Sequence, residues 1–541
     1  MLRRRDAQHS YFDAQSVPHR VAEDSFYGRM GAVSDRLFKD DDLAEMYCPD
    51  NGRPSIPPSL MCGVLLLQFY DDVSDREAVE RMLYDMRWKV ALNLPLDFAG
   101  IDPSTLVVFR KRLVRHDRER YAFDRLIEVG RAAGFIPEKV TLLIDTTSAK
   151  GAGAVQDSYT LLRKGIRKLL KTAGFHVAGK RRNLSARAQA LVSSYLDQDR
   201  KADLDWSDAE QRSAQLKVLV QDAEAALALT AEQMDDEEVR SVGWLLSKIL
   251  GDDLDLDEGG KPKIAQGTAP DRIISITDTD MRHGRKSASQ RFDGFKVSVA
   301  TEPENELILD ISDMQAPGSD GQQLMPTIER VEQHAGVEVE RVIVDGAYNS
   351  GDNLAACSEY RGRGVDIVTR FRRPKDPEVA KSAFDIDLEG QTITCPQGHS
   401  VTGTPGRDRK GRDILKFTFE RPVCASCPLF EACVRSKTSG RTVQTHAHEE
   451  LLQKTRARQS TPEYKEMYCT RSKVERKIGE VVRHGIRDTR YLGGKKRQLQ
   501  RLWTGAAVNL KRLFTLAQDK KCDLATILAM PEQIGQAMIP A

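Results

Sequence analysis

The fold is decided by a short apolar run, Lys139-Val140-Thr141-Leu142-Leu143-Ile144-Asp145. Its residues are largely apolar and partly β-branched, which predicts a buried strand that ends in a carboxylate. A second run, Val339-Glu340-Arg341-Val342-Ile343-Val344-Asp345, ends in the same way. Gly346 follows it and permits a sharp exit of the chain. Because adjacent strands of one sheet can hold two carboxylates close together, Asp145 and Asp345 are predicted to form an acidic site.

The elements around these two runs follow a recognisable order. After the first strand, further strands are predicted at Arg272–Ile276, Phe295–Ala300 and Leu307–Ile311, followed by a helix at Met325–His334. The strand ending at Asp345 comes next, and Val365–Val368 is predicted as a last strand. This is the order of an RNase H-like α/β fold. Residues 151–269 interrupt it with helical spacing and are predicted to be a helical insertion, with a linker at Gly251–Thr268.

The first 135 residues are predicted to be mostly helical. Helix starts are indicated at Pro57-Pro58, at Ser74 with Glu77 three residues on, and at Asp102-Pro103. The last of these helices carries Arg110, Lys111, Arg112 and Arg115. Short helices followed by a basic helix are typical of a DNA-binding module. A plain helical bundle fits the same periodicity, so both interpretations stay open here.

Composition narrows the class of protein. The chain has 541 residues, 40% of them hydrophobic, which suggests two to four domains with a sizeable core. No apolar run of 18 residues and no signal-peptide core is present, so we expect a cytoplasmic protein without a membrane partner. Net charge is only +2, but residues 455–512 hold sixteen Lys or Arg against five Asp or Glu, whereas residues 201–258 are acidic. Such asymmetry is typical of a nucleic-acid face, and it also fits two solvated regions of opposite charge.

A third acid is suggested by Tyr468, Arg471 and Glu475, which share one face of a helix at spacings of three and four. This combination suits a surface that binds phosphate, because the carboxylate can bind a metal, the planar arginine can bind phosphate and the tyrosine can stack on DNA. An ordinary salt bridge between Arg471 and Glu475 explains the same spacing. If the carboxylates do act together, Mg²⁺ or Mn²⁺ is the expected cofactor, because both ions prefer hard oxygen ligands.

Four of the nine cysteines fall close together in the sequence. Cys395 precedes Cys424-Ala425-Ser426-Cys427, and Cys433 follows. Zinc takes four tetrahedral ligands and a Cys-x2-Cys knuckle presents two thiolates, so these four residues predict a structural Zn²⁺ site in which His399 could replace one thiolate. Buried free thiols are the alternative.

Together these residues resemble the DDE transposases of bacterial insertion sequences, over nearly the whole chain. Tyr468, Arg471 and Glu475 match the spacing around the third acid of one large superfamily. Leu143-Ile144-Asp145-Thr146-Thr147 and Val344-Asp345-Gly346-Ala347-Tyr348 resemble its first and second acid motifs. Segments of the first 112 residues resemble an InsH-type N-terminal domain, namely Tyr11-Phe12-Asp13, Gly52–Pro58, Val73–Val79 and Ser104–Arg112, and two closing segments, Tyr491–Lys495 and Ala506–Arg512, resemble the family's C-terminal helices. Where the superfamily has a Lys after the third acid, this chain has Val482, beside Arg483.

The resemblance implies a metal-dependent transposase with Asp145, Asp345 and Glu475 as its catalytic and metal-binding residues. DNA contacts are expected from Tyr468, Arg471, Arg483, Lys495, Lys496 and Arg497, and a homodimer is expected on double-stranded DNA. The implied domains are a DNA-binding unit at 1–135, a catalytic core at 136–150, 270–375 and 455–515, the insertion at 151–269, a Cys-rich unit at 385–440 and a tail at 516–541. A nuclease of the same fold and a non-catalytic or domesticated DNA-binding protein remain as alternatives.

Overall fold

The computed structural model of the chain describes residues 1–5, 20–198, 204–287, 289–371 and 373–529. The motif Tyr11-Phe12-Asp13 and the end of the expected tail, residues 530–541, lie outside these ranges. None of the helices in the described ranges is both long enough and apolar enough to cross a membrane.

Helices make up the N-terminal part, as expected from the sequence. They are α1 (Phe26–Leu37), α2 (Pro58–Tyr70), α3 (Asp75–Tyr84), α4 (Met86–Ala91), α5 (Pro103–Arg115) and α6 (Tyr121–Ala132). The start signals act as predicted: Pro57 and Pro58 open α2, the hydroxyl of Ser74 accepts from the N–H of Glu77, and the carboxylate of Asp102 accepts from the N–H of Ser104.

The first strand, β1 (Lys139–Lys150), leads into the helical insertion. This insertion contains α7 (Ser158–Thr172), α8 (Ala186–Leu196), α9 (Ala209–Leu229) and α10 (Glu237–Asp253), followed by a hairpin of β2 (Leu254–Leu256) and β3 (Pro262–Ile264). The hairpin occupies much of the segment predicted to be a linker, so that prediction was wrong at 254–264. Asp257 explains the turn, because its carboxylate accepts from the N–H groups of Gly259 and Lys261.

The chain then returns to the central sheet. Its remaining elements are β4 (Arg282–Arg285), β5 (Arg291–Thr301), β6 (Ile308–Gln315), α11 (Leu324–Ala335), β7 (Glu338–Val344), α12 (Gly351–Glu359) and β8 (Asp366–Val368). The order across the sheet is β4-β5-β1-β7-β8, and β6 also pairs with β5. β5 runs antiparallel to β1, β4 and β6, whereas β1, β7 and β8 are mutually parallel. The result is a mixed α/β sheet in the order expected from the sequence.

One predicted strand is not formed. Residues 272–276 are extended and their isoleucines are buried, but they pair with no strand among the described residues. The backbone of Ile274 and Ile276 is instead bound by Gln156, through its N–H and its side-chain oxygen respectively. The segment therefore joins the insertion to the sheet. Its apolar residues are explained by their burial and not by pairing with another strand.

The Cys-rich region consists of small sheets. It contains β9 (Asp385–Asp387), β10 (Thr392–Thr394), β11 (Ser400–Thr402), β12 (Thr404–Arg407), β13 (Asp413–Thr418), α13 (Arg421–Ala425), α14 (Phe430–Cys433) and β14 (Thr442–Gln444). The chain closes with α15 (Glu449–Arg458), α16 (Pro462–Cys469), α17 (Ser472–Arg483), α18 (Gly494–Asp519) and α19 (Leu524–Ala529).

Helix α18 connects the N-terminal helices to the sheet. At Gly505 the helix approaches both sides closely: a Cβ there would lie 2.9 Å from the ring of Phe123 and 3.1 Å from the side chain of Ile311 on β6. Trp503 is fully buried and donates to the backbone oxygen of Glu119. One hydrophobic core therefore runs from α1 through α18 into the sheet, while the insertion has a core of its own.

Candidate active site

The site lies where β1 outruns its parallel neighbour. β1 and β7 pair up to Ile144 and Val344. The prediction that this strand ends at Asp145 was wrong, because β1 continues to Lys150, where it bridges Asp488. Asp145 is the first residue past the pairing, and Asp345 is the first residue after β7. Since neighbouring strands lie about 4.8 Å apart, the two carboxylates project from equivalent positions at one end of the sheet.

Both aspartates are fixed by their own backbone surroundings. The N–H of Thr146 donates to Asp145 Oδ1 at 2.8 Å, and the N–H of Ala347 donates to Asp345 Oδ1 at 2.8 Å. The hydroxyl of Thr369, just past β8, donates to the backbone oxygen of Asp345 at 2.8 Å. The third parallel strand therefore supports the second acid.

Glu475 is connected to this pair of aspartates through Arg471. Arg471 Nη2 lies 2.8 Å from Asp145 Oδ2, and Arg471 Nη1 lies 2.6 Å from Glu475 Oε1. The side chains of Asp145 and Arg471 are 17% and 18% exposed, whereas Glu475 is 57% exposed. The i, i+4 salt bridge considered from the sequence is thus present, and the same guanidinium also reaches the first strand.

The helix predicted to carry all three motif residues is interrupted. Tyr468 belongs to α16, Glu475 belongs to α17, and Thr470 and Arg471 lie between them with right-handed helical backbone angles. The break is short, so the three side chains still face the sheet end. Tyr468 contacts the core, and the guanidinium of Arg370 lies 4.1 Å from the centre of its ring.

Burial and neighbouring acids raise the pKa of Asp145. Desolvation is the main cause, the charge of Arg471 opposes it, and the charges of Asp345 and Glu475 add to it. A carboxylate whose charged form is disfavoured in this way gains from a further cation.

A fourth carboxylate lies on the other side of β1. Asp320 accepts from the hydroxyl of Thr146 at 2.9 Å and from Lys296 Nζ at 2.7 Å. Tyr348 follows Asp345 and is fully buried, and no described residue lies within hydrogen-bonding distance of its hydroxyl. The site therefore contains more polar groups than the three acids of the motif.

The donor set fits a hard divalent cation in part. Asp145 and Asp345 provide carboxylate oxygens, the ligands that Mg²⁺ and Mn²⁺ prefer. Among the described residues, no three His, Cys, Asp or Glu side chains are arranged so that they could hold a metal ion. Arg471 accounts for this at the acids, because its guanidinium stands between Asp145 and Glu475.

The basic residues singled out from the sequence differ in availability. Arg483 and Lys496 are exposed, and Lys495 is exposed and paired with Asp117. Arg497 is buried, and its guanidinium nitrogens contact the carboxylates of Asp278, Asp280 and Asp313. Its side chain is therefore committed to the interior and is not part of the surface that could meet DNA. Val482, at the position of the superfamily's lysine, packs against the core.

The basic helix of the N-terminal part shows a similar division. Arg110 is buried and makes two hydrogen bonds to Asp75, at 2.8 and 2.5 Å. Arg112 lies over the ring of Tyr47, with 4.5 Å between its guanidinium carbon and the ring centre. Lys111 and Arg115 are exposed. Two of the four basic residues of this helix, Arg110 and Arg112, therefore make contacts within the protein.

The four clustered cysteines line one cavity. Cys395, Cys424, Cys427 and Cys433 surround it together with His399 and the side chains of Phe384, Phe419 and Phe430. Burial raises the pKa of the Cys433 thiol, which the nearby charge of Arg441 opposes and the other three thiols reinforce. The thiols that the sequence grouped therefore line one cavity, but within the described part of the chain no three of them are placed so that they could hold a metal ion, so the structure does not support the predicted zinc site.

Sequence reasoning missed Lys296, Asp320, Arg370 and the role of Tyr348. Tyr348 was part of the quoted second-acid motif, so a signal existed for it. Lys296 and Asp320 lie in unremarkable sequence surroundings. The pairing of β1 with β5 brings Lys296 to the site, and Asp320 is bound there by Lys296 and Thr146.

Comparison with known protein families gives two matches, one toward each end of the chain. The family model "Transposase DDE domain" matches residues 394–514, which include Glu475 and the cysteine cluster. The model "Transposase domain (DUF772)" matches residues 15–112. No curated protein and no solved structure matches the chain. A transposase DDE domain implies an RNase H-like fold, in agreement with the sheet order given above. One transposase domain is thus matched toward each end of the chain, and together the two matches support a DDE transposase of insertion-sequence type.

Proposed function

We propose that this protein cleaves double-stranded DNA at the ends of a mobile element and transfers the new 3′-ends to target DNA. The observation that carries the proposal is the position of Asp145 and Asp345, each directly beyond the last paired residue of the parallel strands β1 and β7. Glu475, inside the matched DDE domain, is the third acid of the proposal.

The cofactor we propose is Mg²⁺ or Mn²⁺, held by Asp145 and Asp345 and joined by Glu475 when Arg471 moves away. Bound there, the ions would activate a water or a 3′-hydroxyl and stabilise the leaving oxygen of an in-line displacement at phosphorus. The chain itself supplies the rest: the N–H groups of Thr146 and Ala347 orient the two aspartates. Arg471, released from the acids, would bind the scissile phosphate as a planar fork.

The proposed DNA surface consists of exposed basic residues near α17 and α18. Arg483, Lys495 and Lys496 would contact phosphates, and Arg370 with Tyr468 would extend this surface beside the acids. Phosphate contacts give affinity that falls with salt and carries no base sequence. We further propose that the protein acts as a homodimer, because two element ends must be joined, and that it does so in the cytoplasm.

The cysteine cavity is proposed to hold a structural Zn²⁺. The support is chemical: four thiols and an imidazole line one cavity, and two of the thiols form a Cys-x2-Cys knuckle. Zinc there would join the small sheets of 385–444 without taking part in the reaction.

Two other functions use the same fold. A nuclease needs the same acids but produces no joined DNA. A non-catalytic DNA-binding protein is favoured by one observation, the double ion pair of Arg471, which neutralises Asp145 and Glu475 in the same way that structural ion pairs do.

The deciding experiment is cleavage and strand transfer on labelled DNA that carries the ends of the element containing this coding sequence. Wild type is compared with Asp145→Asn, Asp345→Asn and Glu475→Gln in Mg²⁺ and in Mn²⁺, and the exposed Asp413→Asn serves as the control. Wild type and the control should cut and join, while the three site variants bind DNA but do neither. Cutting without joining would favour the nuclease, and binding alone would favour the non-catalytic protein. Full activity in any one site variant would remove that acid from the proposal.

A further inference from the structure

The hydroxyl of Tyr348 is an unexplained polar group in the interior. The residue is fully buried, and none of the described residues lies within hydrogen-bonding distance of its hydroxyl. A buried hydroxyl without a partner costs free energy, so such groups in folded proteins usually face a water, an ion or a ligand.

Its backbone is held tightly, so the ring has little freedom to turn away. The N–H of Tyr348 donates to the backbone oxygen of Asp345, and Asn353 Nδ2 donates to the backbone oxygen of Tyr348 at 2.8 Å. From the other side, a Cβ on Gly321 would lie only 3.5 Å from the Cα of Tyr348. The backbone of Tyr348 is therefore held between the turn after β7 and the segment before α11, and its side chain is fully buried there.

The hydroxyl lies among the acids of the site. Asp320, Asp145 and Asp345 are, in that order, the carboxylates whose charges act on it, and Arg471 acts in the opposite sense. A phenol carries its proton at neutral pH, so this hydroxyl can donate it. Asp320 accepts from Thr146 and Lys296, whereas Asp145 and Asp345 are the pair proposed to bind a ligand, so a ligand held by them would lie near the hydroxyl.

We propose that Tyr348 donates a hydrogen bond to an oxygen of the ligand that Asp145 and Asp345 hold. The oxygen belongs either to the water shell of a divalent cation or to a DNA phosphate, and Tyr348 is the positioning residue for it. This inference rests on the proposed function, because it requires the two aspartates to bind a ligand. It adds a group that the three-acid motif does not contain.

The test compares two tyrosine hydroxyls in the full-length protein. Tyr348→Phe removes the one without a partner. Tyr464→Phe, the matched control, removes a buried hydroxyl that accepts from the N–H of Thr369 and donates to its backbone oxygen, both at 2.7 Å. Binding of MnCl₂ is followed through the paramagnetic resonance signal of free Mn²⁺, with and without a duplex carrying an element end. Thermal unfolding is measured in parallel, and Asp145→Asn reports whether the ion binds at the acids.

We expect Tyr348→Phe to weaken Mn²⁺ binding about tenfold, as loss of an outer-shell hydrogen bond does at metal sites. Its thermal midpoint should stay the same or rise, since an unpaired hydroxyl is removed. Tyr464→Phe should show the reverse: normal Mn²⁺ binding and a lower midpoint. An effect without DNA assigns the oxygen to the ion's water shell, and an effect only with DNA assigns it to a phosphate.

Two results would overturn the inference, and they differ in what else they affect. If Tyr348→Phe binds Mn²⁺ like wild type in both conditions but unfolds at a lower temperature, the hydroxyl serves a buried structural water and the proposed function stands. If wild type shows no Mn²⁺ binding that Asp145→Asn removes, the metal site itself fails, and the inference fails with it.

Discussion

Arg471 shows how much a single side chain decides at this site. Its guanidinium bridges Asp145 and Glu475, so it occupies the place that a shared cation would need. Arginine can serve both arrangements because its planar fork binds carboxylates and phosphates with the same geometry. In the proposed mechanism these ion pairs would hold the acids in place until ligand binding releases the guanidinium toward DNA.

Replacing Arg471 should therefore separate ion binding from catalysis. We expect Arg471→Ala to bind Mn²⁺ more tightly than wild type without DNA, because the competing cation is gone. DNA cleavage should fall about 100-fold, as when a donor to a developing charge is removed. Free-Mn²⁺ titration and single-turnover cleavage measure the two effects. Lys454→Ala, on α15 and paired with Glu450 at the surface, should change neither. Weaker Mn²⁺ binding in Arg471→Ala would instead assign the arginine to holding the site together.

At the scale of the residue, the sequence shows which side chains are charged, but it does not show which of them are exposed and available to bind DNA. Apolar runs that end in Asp predicted both β1 and β7, because strand periodicity is a local property. The burial of Arg497 is not local: its partners Asp278, Asp280 and Asp313 are far away along the chain and meet it only in the folded protein. The missing partner of the Tyr348 hydroxyl has no trace in the sequence for the same reason.

At the scale of the element, two basic residues in the first turn of α18, Arg497 and Lys495, differ in their burial. Arg497 is buried among three carboxylates, so Arg497→Met should lower the free energy of unfolding by about 3–5 kcal/mol, the cost of leaving buried charges without a partner. Lys495 pairs with Asp117 in solvent, so Lys495→Ala should leave stability unchanged and weaken DNA binding mainly at low salt. Urea unfolding and binding at two salt concentrations test this. Equal stability losses in both variants would contradict the assignment of Arg497 to the interior.

Helix α11 contains a histidine that should affect stability in acid. Burial and the charge of Arg120 lower the pKa of His334 to about 4, with Arg330 adding to this and Asp310 opposing it. Its usual pKa is 6.5, so below that value the unfolded chain takes up a proton that the folded protein refuses. The stability contributed by neutral His334 is therefore fully present above pH 6.5 and is lost as the pH falls toward 4.

The variant His334→Gln isolates this effect from the other titrating groups. Between pH 7 and pH 4.5 wild type should lose about 1–3 kcal/mol more unfolding free energy than the variant, after allowance for partial solvent screening. Urea unfolding at several pH values measures the difference. If the two proteins lose stability in parallel through this range, His334 is charged in the folded protein and the prediction is wrong.

The Cys-rich region is the element for which metal removal is the natural test. If zinc occupies the cavity, the purified protein should contain about one Zn²⁺ per chain, and Cys427→Ser should lose most of it. Because ligand binding and folding are coupled in small metal sites, a chelator should lower protection from hydrogen exchange in 385–444. Cys469→Ser, exposed and outside the cluster, should retain the metal. A wild-type protein free of zinc, with unchanged exchange after chelation, would identify the thiols as ordinary buried cysteines.

At the scale of the whole molecule, the helices near the N-terminus and the central sheet form one unit. Their side chains belong to a single core, and α18 joins them at Gly505, between Phe123 and Ile311. The boundary predicted at residue 135 therefore marks a change of secondary structure within a shared interior. The insertion is different, because its hydrophobic side chains form a separate cluster that meets the rest mainly through the 272–276 segment.

This division predicts that two equivalent core mutations will spread differently. Leu246 is fully buried in the insertion and Leu502 is fully buried on α18. Either change to Ala should cost about 2–5 kcal/mol within its own unit, because a cavity is left behind. In hydrogen exchange followed by mass spectrometry, Leu246→Ala should increase exchange in α7 to α10 and leave β5 and β7 protected. Leu502→Ala should increase exchange in α2, α6 and β6 together, since those elements share one core. If Leu246→Ala also increases exchange in β5 and β7, the insertion is part of the same cooperative unit as the sheet.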